Sequence, residues 1–253
     1  MIKELITKVI KKTVSNSDTK TEYRQPLVGF ADADDNDFKK LEEVIAAEHK
    51  LPSDILSGAE TVISFFIPFA REVIEANQHQ KECALKWGIA YHETNELISK
   101  ICFKLQKKLA KESIEVGWQS ATHNFDEERL ISFWSHRSIA KICGLGDFGL
   151  NRMLITEQGS AGRYGSLVMD QYVTPSAEFK ETPCLYYRDG SCGVCVDRCP
   201  KGALTKERFD RHLCYEVLLK NNEIFQAKLK EYDGSFDVCG KCQITPCAFG
   251  IPE

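Results

Sequence analysis

The sequence predicts an α/β layer structure to about residue 170, followed by a small cysteine-rich unit held by metal. Three observations predict it. Continuous β-branched apolar runs alternate with segments whose apolar residues recur at helical spacing. Strand signals stop after about residue 170. Eight of the eleven cysteines then fall between Cys184 and Cys247. With 253 residues there is ample material for a packed core. At 43% hydrophobic and 28% charged residues, the composition is that of a soluble globular protein. No stretch approaches the length of apolar run that a membrane span needs, so no membrane partner is expected. The net charge of −4 gives no general attraction to nucleic acid, which makes a nucleic-acid partner unlooked-for.

The first twelve residues place Ile2, Leu5, Ile6, Val9 and Ile10 at helical spacing. Lysines interrupt the stretch, so it reads as an amphipathic helix capping the domain and not as a signal peptide. The expected location is therefore the cytoplasm, where thiols stay reduced and clustered cysteines mean metal or redox chemistry. Residues 13–27 are polar and loop-like, and Val28-Gly29-Phe30-Ala31 is a short strand. Asp35 or Asn36 can cap a helix carrying Phe38, Leu41, Val44 and Ile45, which Leu51-Pro52 ends. Thr61 to Ile67 is a continuous apolar run between Gly58 and Pro68, the pattern of a buried central strand. A long helix follows, striped by Leu97, Ile98, Ile101, Cys102, Leu105 and Leu109. Ser113 to Trp118 is a second strand, and Asp126 to Cys143 is expected to be mainly helical. Arg152 to Thr156 and Tyr164 to Met169 are two further β-like runs.

The run Cys192-Gly193-Val194-Cys195-Val196-Asp197-Arg198-Cys199-Pro200 carries the x2 and x3 spacings and closing Cys-Pro of a bacterial two-cluster motif. Its first cysteine is displaced to Cys184, with Leu185 to Ser191 inserted. A second group is Cys239-x2-Cys242-x4-Cys247, with Cys214 upstream on an expected helix. Eight thiolates suffice for two four-iron, four-sulfur (4Fe-4S) clusters. In two-cluster motifs the last cysteine of a run ligates the other cluster. On that rule one cluster takes Cys184, Cys192, Cys195 and Cys247, and the other takes Cys199, Cys214, Cys239 and Cys242. Two zinc sites of four cysteines each, or clusters that only staple the fold, are the competing readings. Cys83, Cys102 and Cys143 sit on apolar helix faces and read as buried small hydrophobes.

Gly144-Leu145-Gly146-Asp147-Phe148-Gly149 spells G-x-G-x-x-G, but a helical segment precedes it and a strand follows. A dinucleotide fingerprint needs the opposite context. The loop is either a helix ending in a glycine turn or a place where bare backbone approaches another large cofactor or its substrate.

Four stretches together resemble the cobalamin-dependent iron–sulfur reductases, the group of epoxyqueuosine reductase and the reductive dehalogenases. They are Leu56 to Ile63, Tyr91-His92, Arg137 to Gly146 with Asn151 after it, and the paired cysteine groups with a lone helix cysteine, Cys214. The resemblance implies a nitroreductase-like, layered α/β cobalamin-binding domain over residues 1–171. It implies a ferredoxin-like double 4Fe-4S domain over residues 172–253. It implies that Tyr91, His92, Arg137, Gly144, Leu145, Gly146, Gly149 and Asn151 contact the corrinoid. It implies that an electron donor such as ferredoxin or flavodoxin feeds the far cluster. Where the resemblance calls for an acid some fourteen residues before Gly144, this sequence has Leu130; Asp126, Glu127 and Glu128 lie near, and His136 is the candidate proton donor. The resemblance is expected to be to a short form, lacking the C-terminal repeat domain of the family member acting on transfer RNA.

The leading expectation is a corrinoid-binding reductase of unassigned substrate. A second is a cluster protein that reduces or carries cobalamin for a partner corrinoid protein. A third is a ferredoxin-like electron carrier without corrinoid.

Overall fold

A computed structural model describes residues 1–122 and 124–253. The elements in order are α1 (Ile2–Ser15), β1 (Leu27–Asp32), α2 (Asn36–Val44), α3 (Pro52–Ile55), β2 (Thr61–Pro68), α4 (Arg71–His79) and α5 (Leu85–Leu109). Then come β3 (Val116–Trp118), β4 (Phe125–Asp126), β5 (Ile131–Ser132), α6 (His136–Ile142), β6 (Gly146–Phe148), β7 (Leu154–Thr156) and β8 (Gly162–Met169). The cysteine-rich part holds α7 (Leu185–Asp189), α8 (Val194–Asp197) and α9 (Arg211–Lys228). No helix among the described residues is long and apolar enough to cross a membrane.

The chain is a mixed α/β structure. Its main sheet has the order β1-β2-β8-β3, and every pairing in it is antiparallel. All eight residues of β2 are buried, as a strand covered on both faces must be. Its side chains alternate between two cores. Ile63, Phe65 and Ile67 join Leu167 and Met169 under α1 and α5, where Ile6 and Ile10 meet Leu97, Ile101 and Leu105. Val62 joins Ala31 and Val168 on the opposite face, under Phe38 of α2 and Ile139 of α6. Each such aliphatic side chain contributes about 1.5–3 kcal/mol when fully buried. Asp35 starts α2 by accepting from the Asp37 amide at 2.9 Å.

The stretch Asp126 to Cys143 departs from the expected helix. Residues 125–132 form a β4–β5 hairpin instead, with Phe125 opposite Ser132. The Asp126 carboxylate accepts from the amides of Glu128 and Arg129 at 3.0 and 2.8 Å. Those bonds hold a turn at the place where a helix would have to run. The helix begins only after Ser135, whose hydroxyl caps it by accepting from the Ser138 amide. Cys83 also departs from expectation: it lies in the connection before α5, not on a helix, although it is buried like Cys102 and Cys143.

The cysteine-rich part contributes no strand; an isolated bridge joins Leu204 and Phe209. It is welded to the α/β layers by apolar contact. Phe225, Leu229, Phe236, Ile244 and Ala248 share one cluster with Phe69, Val73, Trp87 and Ala90. Arg24 pins the end of the chain, donating to the carbonyls of Phe69, Gln158 and Phe249 at 2.9, 2.7 and 2.9 Å.

Gly29 lets the end of α6 approach the sheet: a Cβ there would lie 2.2 Å from the Cys143 carbonyl oxygen. Backbone cannot yield as a flexible side chain does. Gly29→Ala is expected to cost about 1–3 kcal/mol, read as a lower urea midpoint at unchanged slope. An unchanged midpoint would show that α6 is not clamped there.

Candidate functional site

Two concave features stand out. The larger, about 740 Å³, is a depression along α1 lined by Lys3, Lys8, Lys11 and Lys12. It holds no cysteine and none of the motif residues. The second, about 460 Å³, lies where β8, α6 and the β4–β5 hairpin meet α9 and the rest of the cysteine-rich part. That size is ordinary for a small-molecule site. Cys199, Cys214, Cys239 and Cys242 line it. Cys184, Cys192, Cys195 and Cys247 line a separate small cleft behind it.

The electrostatics divide the thiols in the same way. Burial pushes the Cys195 thiol up to about 12, and its neighbours Cys247, Cys184 and Cys192 add to the shift. Burial pushes Cys214 up to about 11, with Cys239 and Cys199 adding and Arg137 opposing. Cys242 is raised by burial, then by Cys239, Cys214, Cys195 and Cys199, so the two sets adjoin. The rear cleft also supplies sulfur with donors: the Leu150 amide to Cys184 at 3.5 Å, and the Ser160 and Thr245 hydroxyls beside Cys247 at 3.7 and 3.0 Å.

Among the described residues, no three His, Cys, Asp or Glu side chains converge on a single-ion site. A four-iron cluster asks for a different arrangement. Each thiolate binds its own iron, so four sulfurs surround a space instead of meeting at a point. Two clefts, each walled by four cysteines, fit that requirement.

The remaining sequence candidates separate. Tyr91, Arg137 and Asn151 line the cavity; His92, Gly144, Leu145, Gly146 and Gly149 do not. His92 is stacked on Phe236, 5.2 Å between ring centroids. Gly144, at φ 77°, ends α6. Its amide bonds to the Lys141 carbonyl, and that of Leu145 to the Ala140 carbonyl, at 2.9 and 3.0 Å. This is a Schellman closure, for which glycine is the usual residue. Gly146 and Gly149 pack against Ile155 in the β6–β7 hairpin. The glycines of the loop serve helix termination and hairpin packing. Asn151 stands at its end and donates to the Cys242 carbonyl at 2.8 Å, tying the loop to the second cysteine group.

His136 is buried in the cavity wall with both nitrogens engaged. Ser166 Oγ lies 2.7 Å from Nδ1 and also accepts from Trp134 Nε1 at 2.9 Å. Its one proton therefore goes to Nδ1, and His136 Nε2–H donates to the Ser120 carbonyl at 3.0 Å. Burial, with the nearby Arg163 charge, takes its pKa down to about 4 against the Ser120 bond. A neutral, doubly bonded ring is a poor proton donor. Leu130 lines the cavity but carries no proton to give, and the Asp126 carboxylate is held by Arg129 at 2.9 Å.

Sequence reasoning missed Arg163 and Lys241. Arg163 lies over the Tyr91 ring at 4.4 Å and donates to Asn95 Oδ1 at 2.7 Å. Lys241 is 4% exposed and donates to the carbonyls of Asn77 and Gln80, each at 2.6 Å. Arg163 had no signal, because a strand pattern does not mark which end faces a cavity. Lys241 stood between two motif cysteines and could have been singled out.

No family model matches the chain. The epoxyqueuosine reductase of Lactococcus garvieae (strain Lg2) is 26% identical over 240 residues, covering 84% of this chain and 63% of that protein. That of Bacillus anthracis is 24% identical over 242 residues, covering 85% and 59%. The chain is similar to epoxyqueuosine reductases. It spans about 60% of the length of these curated relatives. Among solved structures, the Bacillus subtilis epoxyqueuosine reductase, with its catalytic aspartate loop swung out of the active site, superposes with a TM-score of 0.62 at 19% identity, covering 100% of this chain and 68% of that one. An epoxyqueuosine reductase solved with an epoxyqueuosine-modified tRNA-Tyr stem loop gives 0.55 at 17% identity, covering 88% and 59%. A catabolic reductive dehalogenase in complex with 3-bromo-4-hydroxybenzoic acid gives 0.53 at 14%, covering 71% and 23%. The likeness read from the cysteine groups and the Arg137 to Asn151 stretch is the one these comparisons return, and the mixed α/β fold is shared.

The His136 environment has a pH consequence. The folded state holds the ring near 4 and an unfolded chain near 6.5. The unfolded state then binds more protons, so stability is full above pH 6.5 and falls as pH drops toward 4. Nitrogen NMR of the ring is expected to show the neutral Nε2–H tautomer across that interval. A ring that titrates near 6.5 would contradict the network.

Proposed function

We propose that the chain is an oxidoreductase in which two 4Fe-4S clusters deliver electrons to a cobalamin in the 460 Å³ cavity. The observation that carries the reading is that Cys199, Cys214, Cys239 and Cys242 line that cavity while the other four cysteines line a cleft behind it. Cubanes in those two places would make an electron path ending at the cavity wall. The donor to the rear cluster is of the ferredoxin or flavodoxin kind, and the cysteine-rich part of residues 172–253 acts as a ferredoxin-like domain beside a nitroreductase-like layer. A bound cobalamin supplies, once reduced, a strongly reducing and nucleophilic cobalt centre. The chain's own part is to hold and orient. Tyr91, Arg137 and Arg163 would face the ligand, and Asn151 fixes the Cys242 backbone.

The substrate class we propose is a modified nucleoside carried on RNA. The relatives are named for epoxyqueuosine, and one neighbour was solved with a tRNA stem loop. The chain's overall charge of −4 argued against nucleic acid, but the cavity tells differently. Arg137, Arg152, Arg163, Arg211 and Lys241 line it against a single acid, Asp237. Such a local concentration of cations favours phosphate contact whatever the net charge. A second reading, reduction of cobalamin for a partner corrinoid protein, is favoured by Leu130, an aliphatic wall residue where an acid would serve turnover.

The test is a titration of anaerobically purified, cluster-loaded protein with cobalamin, followed in the visible spectrum. A saturating change at one cobalamin per chain is expected, and turnover of an epoxyqueuosine-bearing stem loop then separates the two readings. No spectral change would leave only an electron carrier.

A further inference from the structure

The two thiol quartets sit in unequal electrostatic surroundings. Two cations reach the quartet on the cavity. Arg137 and Lys241 line the cavity together with Cys199, Cys214, Cys239 and Cys242. Among the described residues no charged side chain lines the rear cleft, where the Thr245 and Ser160 hydroxyls lie beside Cys247. Lys241 is the more telling of the cations. It lies between two members of the quartet in sequence, it is 4% exposed, and among the described residues it forms no salt bridge. Burying an ammonium group costs several kcal/mol. The carbonyls of Asn77 and Gln80, at the end of α4, offset part of that cost, and a neutral donor would satisfy them as well. A cubane with four thiolates is an anion, and its charge beside Cys239 would offset the remainder.

We propose that Lys241 raises the reduction potential of the cavity-side cluster above that of the rear cluster, so that an electron entering at the rear is drawn toward the cavity. The inference rests on the two-cluster reading of the site. Its physics is direct: reduction adds a negative charge, and a fixed cation in a poorly screened interior stabilises the reduced form. The hydroxyl and amide donors of the rear quartet act in the same sense, but a full charge acts more strongly than a neutral dipole. Arg137 adds to the same gradient from the cavity wall.

The experiment is an EPR-monitored redox titration of the anaerobic, cluster-loaded protein, wild type against Lys241→Gln and Lys241→Arg. Glutamine keeps a donor for the two carbonyls and removes the charge. One of the two midpoint potentials is expected to fall in Lys241→Gln, the other to stay, and Lys241→Arg to retain the wild-type pair. Unchanged potentials at undiminished iron content would overturn the proposal and leave Lys241 as a helix cap. Should the glutamine variant not load, the wild type still decides the matter. With substoichiometric reductant, the first electron is expected on the cluster whose signal Cys214→Ser alters, and its appearance on the other cluster overturns the proposal. A wild type without two cubane signals would instead sink the two-cluster reading itself.

Discussion

The constraint on which this structure depends is the convergence of thiols from distant parts of the chain on two adjoining clefts. Cys247, near the end, shares a cleft with Cys184, Cys192 and Cys195, while Cys199 faces the cavity with Cys214, Cys239 and Cys242. Neither cysteine group can complete its cleft without the other. The segment has little regular structure to hold it, with two short α-helices and one long one. Burial raises several of these thiols, so the metal-free protein keeps them protonated. Cluster insertion would expel those protons and make metal binding a large part of this segment's folding free energy.

The α/β layers complement that segment at three points. Asn77 donates to the Cys239 carbonyl and accepts from the Ala84 amide, so the α4–α5 connection grips the second cysteine group. Gly240, at φ 68°, lies flat on the Trp87 ring, where a Cβ would come within 2.1 Å. Asn151 bonds the Cys242 carbonyl from the far side. The cavity adjoins these grips and is lined by both cations and thiols. Positive charge lining the cavity would serve an anionic cluster and, on the proposed function, a phosphate-bearing ligand as well.

Much of the fold was legible in the sequence, for reasons of burial. The continuous run Thr61 to Ile67 and the stripe from Leu97 to Leu109 declare their elements because apolar periodicity reports directly on which faces are covered. The stretch after Asp126 was not legible. It has helix-compatible residues, but one carboxylate captures the amides of a turn, and such a local competition leaves no periodic trace. The glycine loop was legible only in part: context excluded a dinucleotide, but which of its residues reach the cavity depends on the hairpin that follows. Tyr91 and Arg137 were placed at the cavity by family likeness, whereas Arg163 and the Ser166–His136–Trp134 network required the sheet register. His136 was singled out by residue type, and a histidine near a site is as useful for holding a wall together as for moving a proton.

The interleaving of the two cysteine groups around two clusters is tested most directly by iron content and EPR spectra of three cysteine variants. Cys199→Ala is expected to leave the same residual cluster signal as Cys214→Ala, and Cys184→Ala to leave the complementary one. A residual signal of Cys199→Ala that matches Cys184→Ala would contradict the interleaving and assign Cys199 to the rear cleft.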